Sequence, residues 1–122
     1  MTEQEIQKKI LNWLDKRGYW AVKTIQSNKR GVPDILACSP LGEFIAIEVK
    51  TPKGVVSELQ QYQLAKINDT GGIAFVARSL EDVIEELGSE EYEKLSQSVD
   101  TKSSDVYSHI FYLKTRYGNE TK

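Results

Sequence analysis

The chain has 122 residues, 39% of them apolar and 28% charged, which is enough for one modest hydrophobic core and too little for two. No apolar run approaches the ~18–20 residues a membrane span needs, and the opening MTEQEIQKK carries acids where a signal segment would be apolar, so the expectation is a soluble, cytoplasmic protein. The net charge of −2 runs against the basic footprint of phosphate binders, yet residues 1–78 hold eleven Lys or Arg against eight Asp or Glu, and residues 79–122 hold five against ten. That asymmetry permits a basic face in the first part, and an acidic solvated helix near the end accounts for it equally well.

From Thr2 to Arg17 the spacing predicts an amphipathic helix, with positions 3, 6, 7, 10, 13 and 14 on one stripe and Gly18 as terminator. Ile6, Ile10, Trp13 and Leu14 make the stripe apolar; Glu3 and Gln7 are its polar members. Glu5 lies about 160° around the helix from Glu3, at roughly 100° per residue, and is expected to face solvent. YWAVKTI at 19–25 reads as a strand, and QSNKRGV as a polar loop. PDILACS and FIAIEVK flank the turn PLGE in the pattern of a β-hairpin, with Pro33 tolerated at a strand start. Cys38, the single cysteine, cannot form an internal disulfide and sits in an apolar stretch where a buried thiol is ordinary.

TPKGVV reads as a loop, and Ser57 opens a second helix running to about Asn68. GIAFVA comes after the Gly71–Gly72 pair as a short buried strand. Leu80, Val83, Ile84 and Leu87 mark a third helix, capped by Ser79 with Asp82 at the capping-box position. The order is α-β-β-β-α-β-α, and the last strand, reached through a helix, is expected to run parallel to a neighbour. Beyond Gly88 the signal fades: 96–105 resembles a linker, and VYSHIFYL at 106–113 suits helix or strand.

Glu48 and Lys50 lie two apart in a strand, so their side chains leave one face while Ile45, Ile47 and Val49 leave the other. The hairpin brings Asp34 beside them. Two carboxylates facing one another repel unless a cation lies between, and Mg²⁺ favours such hard oxygen ligands. Such an ion suits phosphodiester hydrolysis, with Lys50 orienting water or offsetting charge on the phosphoryl oxygens. Taken singly, E-x-K is as easily a surface ion pair, and Asp34 after Pro33 a turn residue. The combination is more telling: PD, thirteen residues, then E-x-K across a hairpin.

GVPDI at 31–35 with FIAIEVK at 44–50 resembles the virus-type replication-repair nuclease (VRR-NUC) family of the PD-(D/E)XK superfamily. Thr2, Glu3, Ile6 and Gln7 resemble its opening helix, Ser57 and Gln60 its helix after the E-x-K strand, and GGIAFVARS at 71–79 its last core strand and turn. The likeness spans about residues 2–87. It implies a restriction-endonuclease-like α/β core at 1–88, a mixed four-stranded sheet flanked by helices, with 89–122 as an extension. It implies Mg²⁺- or Mn²⁺-dependent cleavage by Asp34, Glu48, Lys50, Glu3 and Gln60. The metal would be held by Asp34, Glu48 and the Val49 carbonyl, with Glu3 reaching it directly or through water. Lys23, Lys29, Arg30, Lys53 and Gln7 become candidate nucleic-acid contacts.

For Gln60 a capping box with Ser57 explains the residue equally, and both roles are compatible. Acids near a helix N-terminus are favoured anyway, which is the alternative for Glu3. Gln7 serves equally at a helix–sheet boundary, and His109 and the Trp and Tyr residues read as structural. The expected substrate is DNA, including four-way junctions, in phage or mobile-element replication and repair. A homodimer through 106–113 would match the symmetry of a junction. Two rival classes are a catalytically idle nucleic-acid-binding module of the same fold, and an adaptor in which E-x-K is accidental.

Overall fold

Each helix starts where its sequence supplies a cap. In the computed structural model, which describes residues 1–88, α1 spans Glu3–Lys16 with Thr2 as N-cap. Glu5 N–H donates to Thr2 Oγ1 (3.2 Å) and Thr2 N–H to Glu5 Oε1 (3.1 Å), which occupies Glu5 at the exposed helix start. The carboxyl accepts from Thr2 N–H and also from the Thr2 hydroxyl (3.1 Å), and these two bonds, the backbone one first, hold it below its ordinary pKa. Past the C-cap Arg17, Gly18 takes φ 81°, the left-handed conformation that ends the helix without a Cβ penalty. Ser57 caps α2 (Glu58–Asp69) and Ser79 caps α3 (Leu80–Leu87). The third cap departs from expectation: Asp82 N–H does donate to Ser79 Oγ (3.3 Å), but the Asp82 carboxylate accepts from Arg78 N–H (2.8 Å).

Four strands form one mixed sheet in the order β1 (Trp20–Lys23), β2 (Ile35–Cys38), β3 (Phe44–Val49), β4 (Ile73–Ala77). β1–β2 and β2–β3 are antiparallel, and β3–β4 is parallel across the α2 crossover, as expected. The hairpin turn closes through Gly42 N–H to Ser39 O (2.8 Å), which sets Cys38 opposite Phe44 and Ile35 opposite Ile47. β1 is shorter than expected, although Thr24 still donates through its N–H to Asp34 O (2.8 Å).

The core lies on the sheet face that α1 and α3 cover. Ile35, Ala37, Ile45, Ile47, Val49 and Ala77 alternate onto it and meet Ile6, Ile10, Leu14, Val83 and Leu87. Each large aliphatic buried there contributes about 1.5–3 kcal/mol. α2 packs on β3 and β4 from the opposite side. β3 is therefore buried on both faces, Ala46 and Glu48 included.

Three expectations need correction. Cys38 is exposed, because it belongs to a cross-strand row with Trp20 and Phe44 that is itself exposed. Trp20 and Tyr62 are exposed as well; of the four described Trp and Tyr residues only Tyr19 is buried and Trp13 half-buried, stacked near Arg17. β4 is half-buried except at Ala77, because it is the sheet margin. There Asn68 closes the backbone: its Oδ1 accepts from Ala74 N–H (2.8 Å) and its Nδ2 donates to Ala74 O (3.0 Å). No helix among the described residues is long and apolar enough to cross a membrane. The linker-like stretch 96–105, the segment 106–113 and His109 lie outside the described residues.

Candidate active site

Asp34 directly precedes β2, so the strand alternation that buries Ile35 under α1 and α3 turns Asp34 to the α2 side. Extending the β2–β3 register by one step from Ile35–Ile47 sets Asp34 opposite Glu48. Val49 N–H donates to Asp34 Oδ2 (2.8 Å), fixing the carboxylate across the hairpin. Glu48 is 2% exposed; its Oε2 accepts from Gln60 Nε2 (3.2 Å) and lies 3.7 Å from Lys50 Nζ. Its other oxygen, Oε1, is buried and receives no hydrogen bond from any donor.

That arrangement has a direct electrostatic consequence. Burial first, then the charge of Asp34 and a proton shared with it, push the Glu48 carboxyl from 4.5 up to about 8, against the smaller opposing pull of Lys50. Two facing carboxylates, one with an orphaned buried oxygen, need either a proton or a cation. The donor set fits a divalent ion such as Mg²⁺, which is commonly held by one or two carboxylates and keeps several waters. Among the described residues no group of three or more His, Cys, Asp or Glu side chains forms a metal cluster. Glu3, half-buried at the start of α1, is near enough for its charge to raise the Glu48 pKa further. Glu5 is absorbed in the Thr2 cap.

Gln60 makes its capping-box bond and a bond to Glu48 at once. Its Oε1 accepts from Ser57 N–H (2.9 Å) in the capping box, which leaves Nε2 free to reach Glu48. Val49 has its side chain fully buried among the core residues, between the two charged neighbours. Gln7 is buried with an unpartnered Oε1, so it belongs to the packed stripe and not to the exposed cations. Lys23, Lys29, Arg30 and Lys53 are all exposed, at the end of β1 and in the loops before β2 and after β3. The loop bearing Lys29 and Arg30 lies against α2: Gln63 Nε2 donates to Arg30 O (3.0 Å). Gly31, at φ +75°, has room for no Cβ, which would meet the Leu59 backbone at 3.0 Å.

Two residues with structural work at this end escaped the sequence reading. Gln63 tethers the basic loop, and Arg78 tethers the loop after β3. Both act across long stretches of chain, and no local spacing announces such bonds.

An α-β-β-β-α-β-α core with two carboxylates and a lysine at the ends of its hairpin strands is the arrangement of a PD-(D/E)XK-type nuclease fold. The family model of the VRR-NUC domain matches residues 1–81, and the chain belongs to that family. Two solved structures share the fold. One, described as a VRR_NUC domain, has a TM-score of 0.61 at 23% identity, covering 70% of this chain and 97% of that one. The other, a VRR_NUC domain protein, has a TM-score of 0.60 at 21% identity, covering 78% and 90% respectively. No curated protein sequence matches the chain.

Proposed function

We propose that the protein is a metal-dependent nuclease that hydrolyses DNA phosphodiesters, with Asp34, Glu48 and Lys50 as its catalytic residues. The observation that carries the reading is buried Glu48, its Oε1 unsatisfied, facing the half-buried Asp34 carboxylate, an accumulation of negative charge that a divalent cation would neutralise. Asp34, Glu48 and the Val49 carbonyl would hold Mg²⁺ or Mn²⁺, which supplies Lewis acidity toward the phosphate when bound. Lys50, adjacent to Glu48, orients the attacking water and offsets charge on the phosphoryl oxygens. Gln60 keeps the Glu48 carboxylate in one orientation, and Glu3 acts through water from α1. Lys23, Lys29, Arg30 and Lys53 contact the phosphate backbone, which positions a substrate without reading its sequence.

The direct test is incubation of the purified full chain with supercoiled plasmid and with a four-way junction in Mg²⁺. Cleavage by the native chain, slowed by orders of magnitude in Asp34→Asn and Lys50→Ala at unchanged melting temperature, is the expected result. Binding without cleavage would instead identify an idle nucleic-acid-binding module. Preference for the junction, together with a dimeric mass in sedimentation, would support a two-fold enzyme acting in replication and repair of phage or mobile elements.

A further inference from the structure

Lys50 is the last residue of the E-x-K segment, and the chain turns tightly just after it: Gly54 N–H donates to Thr51 O (3.0 Å). The turn folds back over the lysine's own stem. A Cβ on Gly54 would meet Lys50 Cβ at 3.3 Å and Cδ at 3.4 Å, so the turn lies close against that side chain and a larger residue there would press on it. Nothing in the turn's composition would hold it there, because its own backbone bond closes only the turn. The hold comes from the end of β4. Arg78 Nη1 donates to Thr51 O (2.7 Å) and to Gly54 O (2.7 Å), with Pro52 O at 3.3 Å. One nitrogen of the guanidinium thus ties both ends of the turn with short charge-assisted bonds. Arg78 is itself fixed, since its N–H donates to the Asp82 carboxylate in the first turn of α3, and its neighbour Ala77 accepts from Lys50 N–H (3.0 Å).

We infer that Arg78 is a positioning residue for Lys50: by clamping residues 51–54 onto the lysine stem, it holds the ammonium beside Glu48 and the scissile phosphate. Its Nη1 is committed to these carbonyls of the turn. Arg78→Lys loosens the clamp, because an ammonium on a flexible stem loses more side-chain freedom for each bond formed than the pre-organised guanidinium does. The kinetic part of this inference rests on the nuclease reading above; the clamp itself does not.

The test therefore has two arms. In the first, amide hydrogen exchange and the ¹⁵N–¹H signal of the Lys50 ammonium are measured in native chain, Arg78→Lys and Arg78→Gln, without metal or DNA. Faster exchange at Gly54 and a shifted, broadened ammonium signal are expected, with exchange in β2 and α1 unchanged. Unaltered exchange at Gly54 and an unaltered ammonium signal would overturn the clamp. In the second arm, cleavage kinetics should show kcat falling on the order of tenfold or more with KM within about twofold, as for a displaced catalytic group. In a Lys50→Ala background, Arg78→Lys should add little, because both changes act through one side chain. Full additivity of the two, or a native kcat in Arg78→Lys, would refute the positioning role. Gly54→Ala, which crowds the Lys50 stem from within the clamped turn while leaving the Arg78 side chain in place, should reproduce the kcat loss even where an Arg78 variant folds poorly. If the native chain cuts no DNA, the nuclease reading fails and the first arm still decides the clamp.

Discussion

Replacing Glu48 by glutamine should stabilise the metal-free protein at neutral and alkaline pH while abolishing cleavage. The folded state raises this carboxyl from 4.5 to about 8, by burial first and by Asp34 second. A group raised in this way contributes stability that is fully present below the unfolded pKa and lost as pH rises through the folded one. Because the two facing carboxylates share the proton, the loss belongs to the pair. At about 1.4 kcal/mol per pH unit, the native chain loses on the order of 3 kcal/mol between about pH 4.5 and about pH 7. For a domain of this size that corresponds to a melting temperature lower by roughly 10–20 °C. Glutamine keeps the shape, accepts from Gln60 and has no proton to lose. Melting curves by circular dichroism in EDTA, from about pH 4.5 to about pH 8.5, should therefore fall steeply for the native chain and stay comparatively flat for Glu48→Gln across this linkage window. Adding Mg²⁺ at the upper end should raise the melting temperature of the native chain alone, since a ligand stabilises only the state that binds it. Parallel pH profiles for the two proteins would refute the reasoning.

The same geometry sets the outcome of five other perturbations. Cleavage should require Mg²⁺ or Mn²⁺ and vanish in excess EDTA; equal cutting with chelator would remove the metal from the mechanism. Glu3→Gln should slow cleavage, whereas Glu5→Gln should leave the rate intact and only loosen the Thr2 cap; the reverse ranking in a rate assay would show that the wrong acid had been assigned to the site. Ser57→Ala should cost about 1 kcal/mol in denaturant unfolding through the lost cap and leave kcat nearly native. Gln60→Ala should cost similar stability and lower kcat too, because it also removes the donor to Glu48; identical kcat in these two variants would assign Gln60 to the helix cap alone.

The parts of this fold that sequence disclosed are those determined by neighbours along the chain. Helix starts were set by Thr2, Ser57 and Ser79, and the hairpin register by the turn at 39–43, which was enough to bring Asp34 opposite Glu48. Alternation of side chains told which residues share a face, but not whether anything covers that face. Cys38 and Trp20 look like core residues in a strand, and they are exposed because α2 packs over β3 and β4. Marginal position likewise left β4 half-buried despite its apolar composition. Arg78 was visible only as part of a strand-and-turn likeness. Its bonds reach back 24 to 27 residues, and no periodicity carries information over that range.

The Asn68 side chain at the β4 margin bears on how this domain behaves in a crowded solution. A sheet margin offers unpaired donors and acceptors on which a strand of another molecule can template itself. At Ala74 both groups are already engaged by the one amide, so an incoming strand meets a filled position near the start of β4. The opposite margin, β1, is only four residues long and ends in Lys23, which limits the length of any added strand and places a charge at its end. Among the described residues the sheet thus hinders strand-to-strand growth by blocking one border at Ala74 and shortening the other. Asn68→Ala, harmless to the distant carboxylates, would be expected to show itself as turbidity on concentration.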